Sequence, residues 1–323
     1  SLLANVGYCM AVEKLLELET PERCQWLRVL GGELARIADH LTRCGAGCLE
    51  LAAMTPFIYA VEARERIWDL LESLCGARLT SNYVRIGGVK HDMPPDFPNQ
   101  CREVIAENRK LLRDFEDVIT TNRIFVDRLK NTGVISQEDC LRYAVTGLIL
   151  RSTGVPLDLR KAEPYLVYDE IDFDVPVGEV GDNYDRYLCC VEEMYQSLRI
   201  VEQCVDKLEK LGPGPVDTFD PRVRWPAKGR VFNRMEELIQ QFKSVTEGPR
   251  VPAGEAYFAI ESANGELGFY LVSDGSSVPW KVRCRPPSFI NVAPMPLMLR
   301  GALLADLIPT FDFINMIGGE CDR

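Results

Sequence analysis

The chain has 323 residues, of which 26% are charged, and its formal net charge at pH 7 is −11. This composition is typical of a globular protein with one large core. The acidic balance argues against nucleic acid as a partner, because a phosphate-binding surface needs an excess of basic residues. No uninterrupted run of about 18 apolar residues occurs, so we expect no membrane-spanning helix.

The predicted helices begin with an apolar segment around Leu2, Leu3 and Val6, a face that we expect to need cover from another polypeptide. A long helix follows from Thr20 and Pro21, which suit the N-cap and the first helical position. Its apolar residues recur at steps of three and four, the period of a helix: Leu27, Leu30, Leu34, Ile37, Leu41, Cys44 and Cys48.

Further helices are predicted after a break at Thr55-Pro56. Five segments have the helical period or a capping signal: residues 62–74, 101–119, a helix opening at Ser136, about 182–211, and 234–242. Four acidic residues between them are typical of a solvated face: Asp169, Glu170, Asp172 and Asp174.

The hydrophobic period changes to two after Pro252. Residues 256–261 and 266–273 flank Asn264-Gly265, which is a strong signal for a β-hairpin. Residues 281–285 are a candidate third strand, and the C-terminal tail contains a predicted helix near residues 298–307.

These elements predict a mainly α fold with a small β portion (α+β). We expect a single domain over residues 1–323. Its helical core would cover about residues 1–250, and the β-hairpin and C-terminal tail about residues 251–323.

The cysteines and histidines do not form the pattern of a metal or cofactor site. There are twelve cysteines but no C-x-x-C pair, and the two histidines are His40 and His91. Structural zinc and iron–sulfur clusters need clustered thiolates. Gly87-Gly88 lacks the lysine of a phosphate-binding loop. We therefore expect buried free cysteines, and neither a metal nor another cofactor bound by this chain.

One carboxylate, Glu50, lies at the apolar end of the first long helix, between Leu49 and Leu51. A carboxylate in such surroundings either extends to water or holds a raised pKa, and periodicity alone leaves both open. Asp39 and His40 on the same helix are typical of an exposed polar face. Composition and spacing do not identify a function.

Longer motifs occur in an order that is typical of one family. They include residues 53–57 (AMTPF), 83–89 (YVRIGGV) and the end of the chain, 319–323 (GECDR). The very specific ones are residues 172–178 (DFDVPVG), 181–182 with 184–188, 193–194 with 196–200, and 270–277 (YLVSDGSS). Through them essentially the whole chain resembles the NuoD-type, quinone-pocket subunit of respiratory complex I (NADH:quinone oxidoreductase). That family is related to the large subunit of nickel–iron hydrogenases.

The resemblance implies a hydrogenase-like helical core in the peripheral arm of complex I. It implies that an iron–sulfur (NuoB-type) subunit and this chain together enclose the quinone substrate, ubiquinone, and that other peripheral-arm and membrane-arm subunits are partners. Enzyme activity would belong to the assembled complex and not to this chain alone. Nickel is not implied, because the two C-x-x-C pairs that hold it in hydrogenases are missing here.

The resemblance also indicates candidate pocket residues. Glu50 falls where the family has a buried aspartate that pairs with a histidine on an N-terminal loop. That loop, its β element and a quinone-contacting tyrosine have no counterpart here, so we expect a separate chain or fragment to supply them. The residues expected to form the quinone pocket or couple it to proton transfer are Glu50, Ala46, Leu49, Met54, Cys321 and Arg323.

The expected location is the matrix side of the mitochondrial inner membrane, or alternatively the cytoplasmic face of a bacterial membrane. The alternative function is a structural scaffold fragment of the same complex, without functional pocket residues. A second chain that brings a histidine and a tyrosine beside Glu50 would distinguish the two.

Overall fold

The computed structural model describes residues 2–322. Within them lie fifteen α-helices: α1 (Leu2–Leu16), α2 (Glu22–Glu50), α3 (Met54–Cys75), α4 (Phe97–Ile119), α5 (Arg123–Leu129), α6 (Gln137–Arg142), α7 (Leu148–Ser152), α8 (Leu159–Ala162), α9 (Asn183–Leu211), α10 (Lys228–Val231), α11 (Met235–Thr246), α12 (Pro287–Val292), α13 (Met295–Met298), α14 (Leu307–Ile314) and α15 (Gly318–Cys321). Two single-turn 3₁₀ helices lie at Tyr168–Glu170 and Leu304–Asp306. The strands are β1 (Val84–Arg85), β2 (Gly88–Val89), β3 (Gly254–Ser262), β4 (Gly265–Ser273) and β5 (Lys281–Arg285). The fold is mainly helical with small antiparallel sheets, which confirms the predicted class.

The long helix α2 is the centre of the fold and packs most extensively against α3 and α9. All seven residues of its predicted apolar ladder are buried, as the three-and-four spacing requires. The second long helix, α9, is capped by Asp182, whose carboxylate accepts the backbone N–H of Asp185 at 2.8 Å. The apolar face of α9 is buried as well, and its packing on α2 forms much of the core.

The predicted break at Thr55-Pro56 is wrong, because the chain turns three residues earlier. Ala52 adopts a left-handed φ of 62°, and α3 begins at Met54, so that Pro56 lies in its first turn. A proline is tolerated there because the first N–H groups of a helix have no intrahelical partner. Helix α3 ends at Gly76 as predicted, since Gly76 (φ 83°) donates its N–H to the carbonyl of Glu72.

The hairpin strands β3 and β4 confirm the predicted β-hairpin, and β5 pairs with β4 as the candidate third strand. The turn is shifted by one residue from the prediction, because Ser262 pairs with Gly265 and the two central residues are Ala263 and Asn264. The predicted helix near residues 298–307 is wrong, since the chain leaves the helical conformation at Gly301 (φ 80°).

Helix α1 packs on β3 and β4 and lies beside α2. Leu2 and Val6 are 1% and 2% exposed within this one chain, and Leu2 lies directly against Gly31 of α2. The expectation that this face needs cover from another polypeptide is therefore wrong. Among residues 2–322, no helix has both the length and the apolarity that a membrane crossing requires.

Candidate functional site

A stripe of buried polar side chains runs along α2 beside its apolar ladder. Glu33, Arg36, His40 and Arg43 recur at steps of three, four and three, and none is more than 2% exposed. The interpretation of His40 as part of an exposed face is wrong, because α9 covers it. The stripe carries ionisable groups through the centre of the protein.

Around this stripe, eight ionisable side chains from separate parts of the chain form a buried ionic cluster, none of them more than 2% exposed: Glu33, Arg36, His40, Arg151, Asp158, Arg160, Glu193 and Glu261. Arg160 donates to Glu193 at 2.8 Å, and Arg151 donates to Glu261 at 2.7 Å and to Glu193 at 3.1 Å. His40 Nε2 lies 3.3 Å from Glu193 Oε2. Glu193 of α9 therefore links Arg151 and Arg160 to His40 of α2, and Glu33 of α2 contacts Arg160 directly at 3.2 Å.

The carboxylate of Glu33 is held by neutral donors as well as by arginines. The Tyr168 hydroxyl donates to it at 2.6 Å and the Ser197 hydroxyl at 2.7 Å. Burial disfavours the carboxylate, but Arg36, Arg160 and these hydroxyls lower the pKa of Glu33. An ionised Glu33 can persist here because its oxygens have hydrogen-bond donors.

The charges of the buried ionic cluster balance when one proton is held by His40 or by Glu261. Fully ionised, three arginines oppose four carboxylates, which leaves one negative charge in excess. Burial disfavours an imidazolium, whereas Cys190 and the Glu193 carboxylate favour it, and the pKa of His40 is raised to about 9. Burial raises the pKa of Glu261 in the same cluster. The cluster can therefore hold a proton near neutral pH.

The C-terminal end of α2 is covered by α14. The Phe313 ring lies on Gly47, where a Cβ atom would come within 2.7 Å of the ring. Asn315, in a left-handed conformation at the end of α14, donates to Asp39 of α2 at 2.8 Å and to Asn264 of the hairpin turn. The C-terminal tail, α2 and the hairpin therefore meet at one place.

Glu50 lies at the solvent end of α2, and its side chain is exposed within this chain. Asp312, on α14, is close enough to interact electrostatically with Glu50. Its Oδ2 atom is buried and has no hydrogen-bond partner among residues 2–322. Burial, and then the negative charge of Glu50, raises the pKa of Asp312 to about 6. We call these two carboxylates the acid pair; its Asp312 member can take up a proton at mildly acidic pH.

The other predicted pocket residues are only partly brought together. Ala46 is half-buried, Leu49 is 36% exposed, and Met54 is 57% exposed at the start of α3, next to the turn that follows Glu50. Cys321 is half-buried on α15, which packs on α12. Arg323 lies outside the described residues. Leu49 and Met54 are thus available to a neighbouring molecule. Cys321 instead belongs to the contact between α15 and α12.

Sequence reasoning missed Asp312 and the buried ionic cluster. The three-and-four spacing of Glu33, Arg36, His40 and Arg43 was the one available signal, because it places four ionisable groups on one helix face. Nothing local links Asp312 to Glu50. Within residues 2–322, no three histidine, cysteine, aspartate or glutamate side chains are grouped in a way that could hold a metal ion.

The fold and the site define a mainly helical protein in which α2, one of its two 29-residue helices, carries a buried ionic stripe to an acid pair at the surface. Over residues 50–323 the sequence matches the family described as "Respiratory-chain NADH dehydrogenase, 49 Kd subunit". The chain belongs to this family.

Bacterial relatives, each a D-type subunit of NADH-quinone oxidoreductase by name, match the chain over its full length. It is 51% identical to such a protein of Anaeromyxobacter dehalogenans over 323 residues, which are 100% of this chain and 74% of that protein. The identity to the relative of Sorangium cellulosum is 50% over 322 residues, or 100% of this chain and 79% of the relative. It is 50% over 323 residues to the relative of Myxococcus xanthus, covering 100% and 77%.

Proposed function

We propose that this chain is a core subunit of a proton-translocating NADH:quinone oxidoreductase, and that the acid pair Glu50–Asp312 lies at the quinone-reduction site. The observation that carries the proposal is the position of this pair. The pair lies at the solvent-exposed end of α2, and the buried part of the same helix contributes Glu33, Arg36 and His40 to the buried ionic cluster. The chain belongs to the 49 kDa subunit family.

Quinone reduction consumes protons, and a group that supplies them works best when its pKa is near the working pH. The pKa of Asp312, raised to about 6, meets this requirement better than an ordinary aspartate. Leu49 and Met54 offer exposed apolar surface beside Glu50, as a pocket for an apolar ligand requires. Within this chain the surface is open, so the pocket is completed by a partner.

The proposed partner at this surface is an iron–sulfur subunit that delivers electrons to the quinone, with other subunits of both arms around it. A histidine beside Glu50, from another chain or from another segment of the protein, is part of the proposal. The metal centres belong to the partners, and the quinone, proposed to be ubiquinone, is a substrate held between subunits. In the proposed complex this chain attaches on one side of the membrane.

The relatives named above are bacterial. They favour the cytoplasmic face of a bacterial membrane, the alternative that the sequence left open, over the mitochondrial inner membrane. No observation favours the scaffold alternative.

The test is the variant Glu50→Gln in the assembled complex. We expect NADH:quinone activity to fall by about tenfold or more, the usual effect of losing a proton-transfer group. NADH oxidation by a water-soluble electron acceptor that bypasses quinone should be unchanged. Glu103→Gln on α4, an exposed carboxylate outside the acid pair, is the matched control. Unchanged quinone reduction in Glu50→Gln would instead support the scaffold function.

A further inference from the structure

The amphipathic helix α11 presents its apolar side to solvent. None of its residues is buried, and its five large apolar side chains are between 48% and 67% exposed. They recur at the spacing of a single helix face, which we call the α11 face: Met235, Leu238, Ile239, Phe242 and Val245. A helix on the surface of a monomer normally has the opposite orientation, with the apolar stripe toward the core.

The polar side of α11 is attached to its own chain, and this fixes the orientation. Gln240 donates to the backbone carbonyl oxygens of Pro221 and Arg224 at 3.2 and 3.0 Å. Glu237 pairs with Arg230 at 3.6 Å, and Ser244 lines a cavity of about 410 Å³ beneath the helix. Rotation of the α11 face inward would break these contacts, so the apolar side chains stay exposed.

The segment that precedes α11 is basic and also carries exposed aromatic side chains. Residues 222–234 contain five arginines and lysines and no acidic residue, in a chain of net charge −11. Lys228 and Arg234 are exposed and form no ion pair within residues 2–322. Trp225 and Phe232 are 51% and 86% exposed. Positive charge thus borders the apolar surface.

We propose that the α11 face docks into an apolar groove of another protein subunit of the complex, and that carboxylates on the rim of that groove meet Lys228 and Arg234. The first four side chains have the spacing of a helix bound in a groove, with anchors at i, i+3, i+4 and i+7, and Val245 continues the same face at i+10. Phe242 is near the centre of the face and is the principal anchor, because large aromatic side chains dominate such interfaces.

The charges on and near α11 disfavour two other partners for the α11 face, a membrane surface and a second copy of this chain. A helix that lies on a membrane has a polar side rich in lysine and arginine, whereas α11 has Glu236 and Glu237 against one lysine, Lys243, and its polar side contacts protein. A symmetric dimer would bring two copies of the basic segment 222–234 together, since the same patch faces itself across a twofold axis. An acidic groove on a different protein meets neither difficulty.

The first experiment places a photo-crosslinking phenylalanine analogue at position 242 in the assembled complex, with position 241 as the matched control. We expect one subunit other than this chain to dominate the product at 242. Crosslinks only to lipid, only to a second copy of this chain, or to no partner would overturn the proposal.

The second experiment measures how much of that subunit co-purifies with the chain. Phe242→Ser should lower its occupancy roughly tenfold or more, as for an interface anchor, and Gln241→Ser should leave it unchanged. Lys228→Glu combined with Arg234→Glu should also lower it, and the more so at low salt. Equal occupancy in Phe242→Ser and Gln241→Ser would refute the anchor. Because the experiment measures subunit occupancy and not quinone reduction, a failure of the docking proposal is distinguishable from a failure of the proposed quinone site.

Discussion

The Phe313 ring lies on Gly47 of α2 so closely that a single added methyl group would overlap it, at 2.7 Å from Cζ. Phe313 is fully buried and contacts the rings of Phe125 and Tyr187 at centroid distances of 6.4 and 6.3 Å. The ring cannot move aside without disturbing both aromatic contacts. Gly47 therefore sets how closely α14, and with it Asp312, approaches Glu50.

Gly47→Ala is expected to destabilise the protein, although alanine is the better helix former. Overpacking of a buried site costs about 1–3 kcal/mol, which exceeds the gain in helix propensity of roughly 1 kcal/mol. Urea unfolding measures the difference. The double variant with Phe313→Leu should recover part of the loss, because the smaller side chain leaves room for the methyl group. Additive effects of the two substitutions would contradict a direct overlap.

Glu193→Gln is expected to lower the free energy of unfolding by about 3 to 5 kcal/mol, the usual cost of removing one partner from a buried ion pair. The reason is that Arg151 and Arg160 keep their buried charges and lose their shared carboxylate. The matched control is Glu192→Gln, one residue away and exposed, which should change stability by less than about 0.5 kcal/mol. Similar losses for both variants would show that the buried ionic cluster is not a stabilising unit.

His40 should make stability depend on pH above neutrality. Its pKa is about 9 in the folded protein and about 6.5 in an unfolded chain. A raised pKa contributes stability that is complete below pH 6.5 or so and is lost as the pH rises toward 9. His40→Gln should therefore have a flatter profile than the natural chain across this window, in urea unfolding measured at several pH values. The exposed His91 provides the control variant His91→Gln, and an identical slope in His40→Gln would rule out a protonated His40.

Asp312 should act in the same direction as His40 but at lower pH. Because its pKa is raised from 3.8 to about 6, the folded state holds this proton more tightly than the unfolded chain. The contribution of Asp312 to stability therefore falls as the pH rises from 3.8 to 6. Asp312→Asn should remove this fall. Glu50→Gln should lower the pKa of Asp312, because it removes the negative charge that acts on Asp312. A carboxyl NMR titration can measure this pKa, and an unchanged value in Glu50→Gln would argue against the acid pair.

Residue spacing predicted the elements whose stabilisation is local. The three-and-four ladder from Leu27 to Cys48 identified α2, and the alternation on both sides of Asn264 identified the hairpin. Boundaries were less accurate at Pro56 and Gly301, because sequence patterns indicate a turn more reliably than the residue at which it occurs. Glu50 was identified as a candidate by a family resemblance and by its apolar neighbours.

Tertiary structure decided which polar groups are buried and which acids meet. His40 carries the same local pattern as an exposed polar residue, and its burial follows only from the packing of α9 on α2. Asp312 lies 262 positions after Glu50 in the sequence, and the two approach because α14 packs on the end of α2, with Phe313 on Gly47 and Asn315 bound to Asp39. The spacing of the apolar residues in α11 fits a buried face as well as an exposed one. The polar contacts of Gln240 and Glu237 with the rest of the chain decide that the face is exposed. Helical and strand periods record which side of an element is apolar, but they carry no information about the distant segment that covers it.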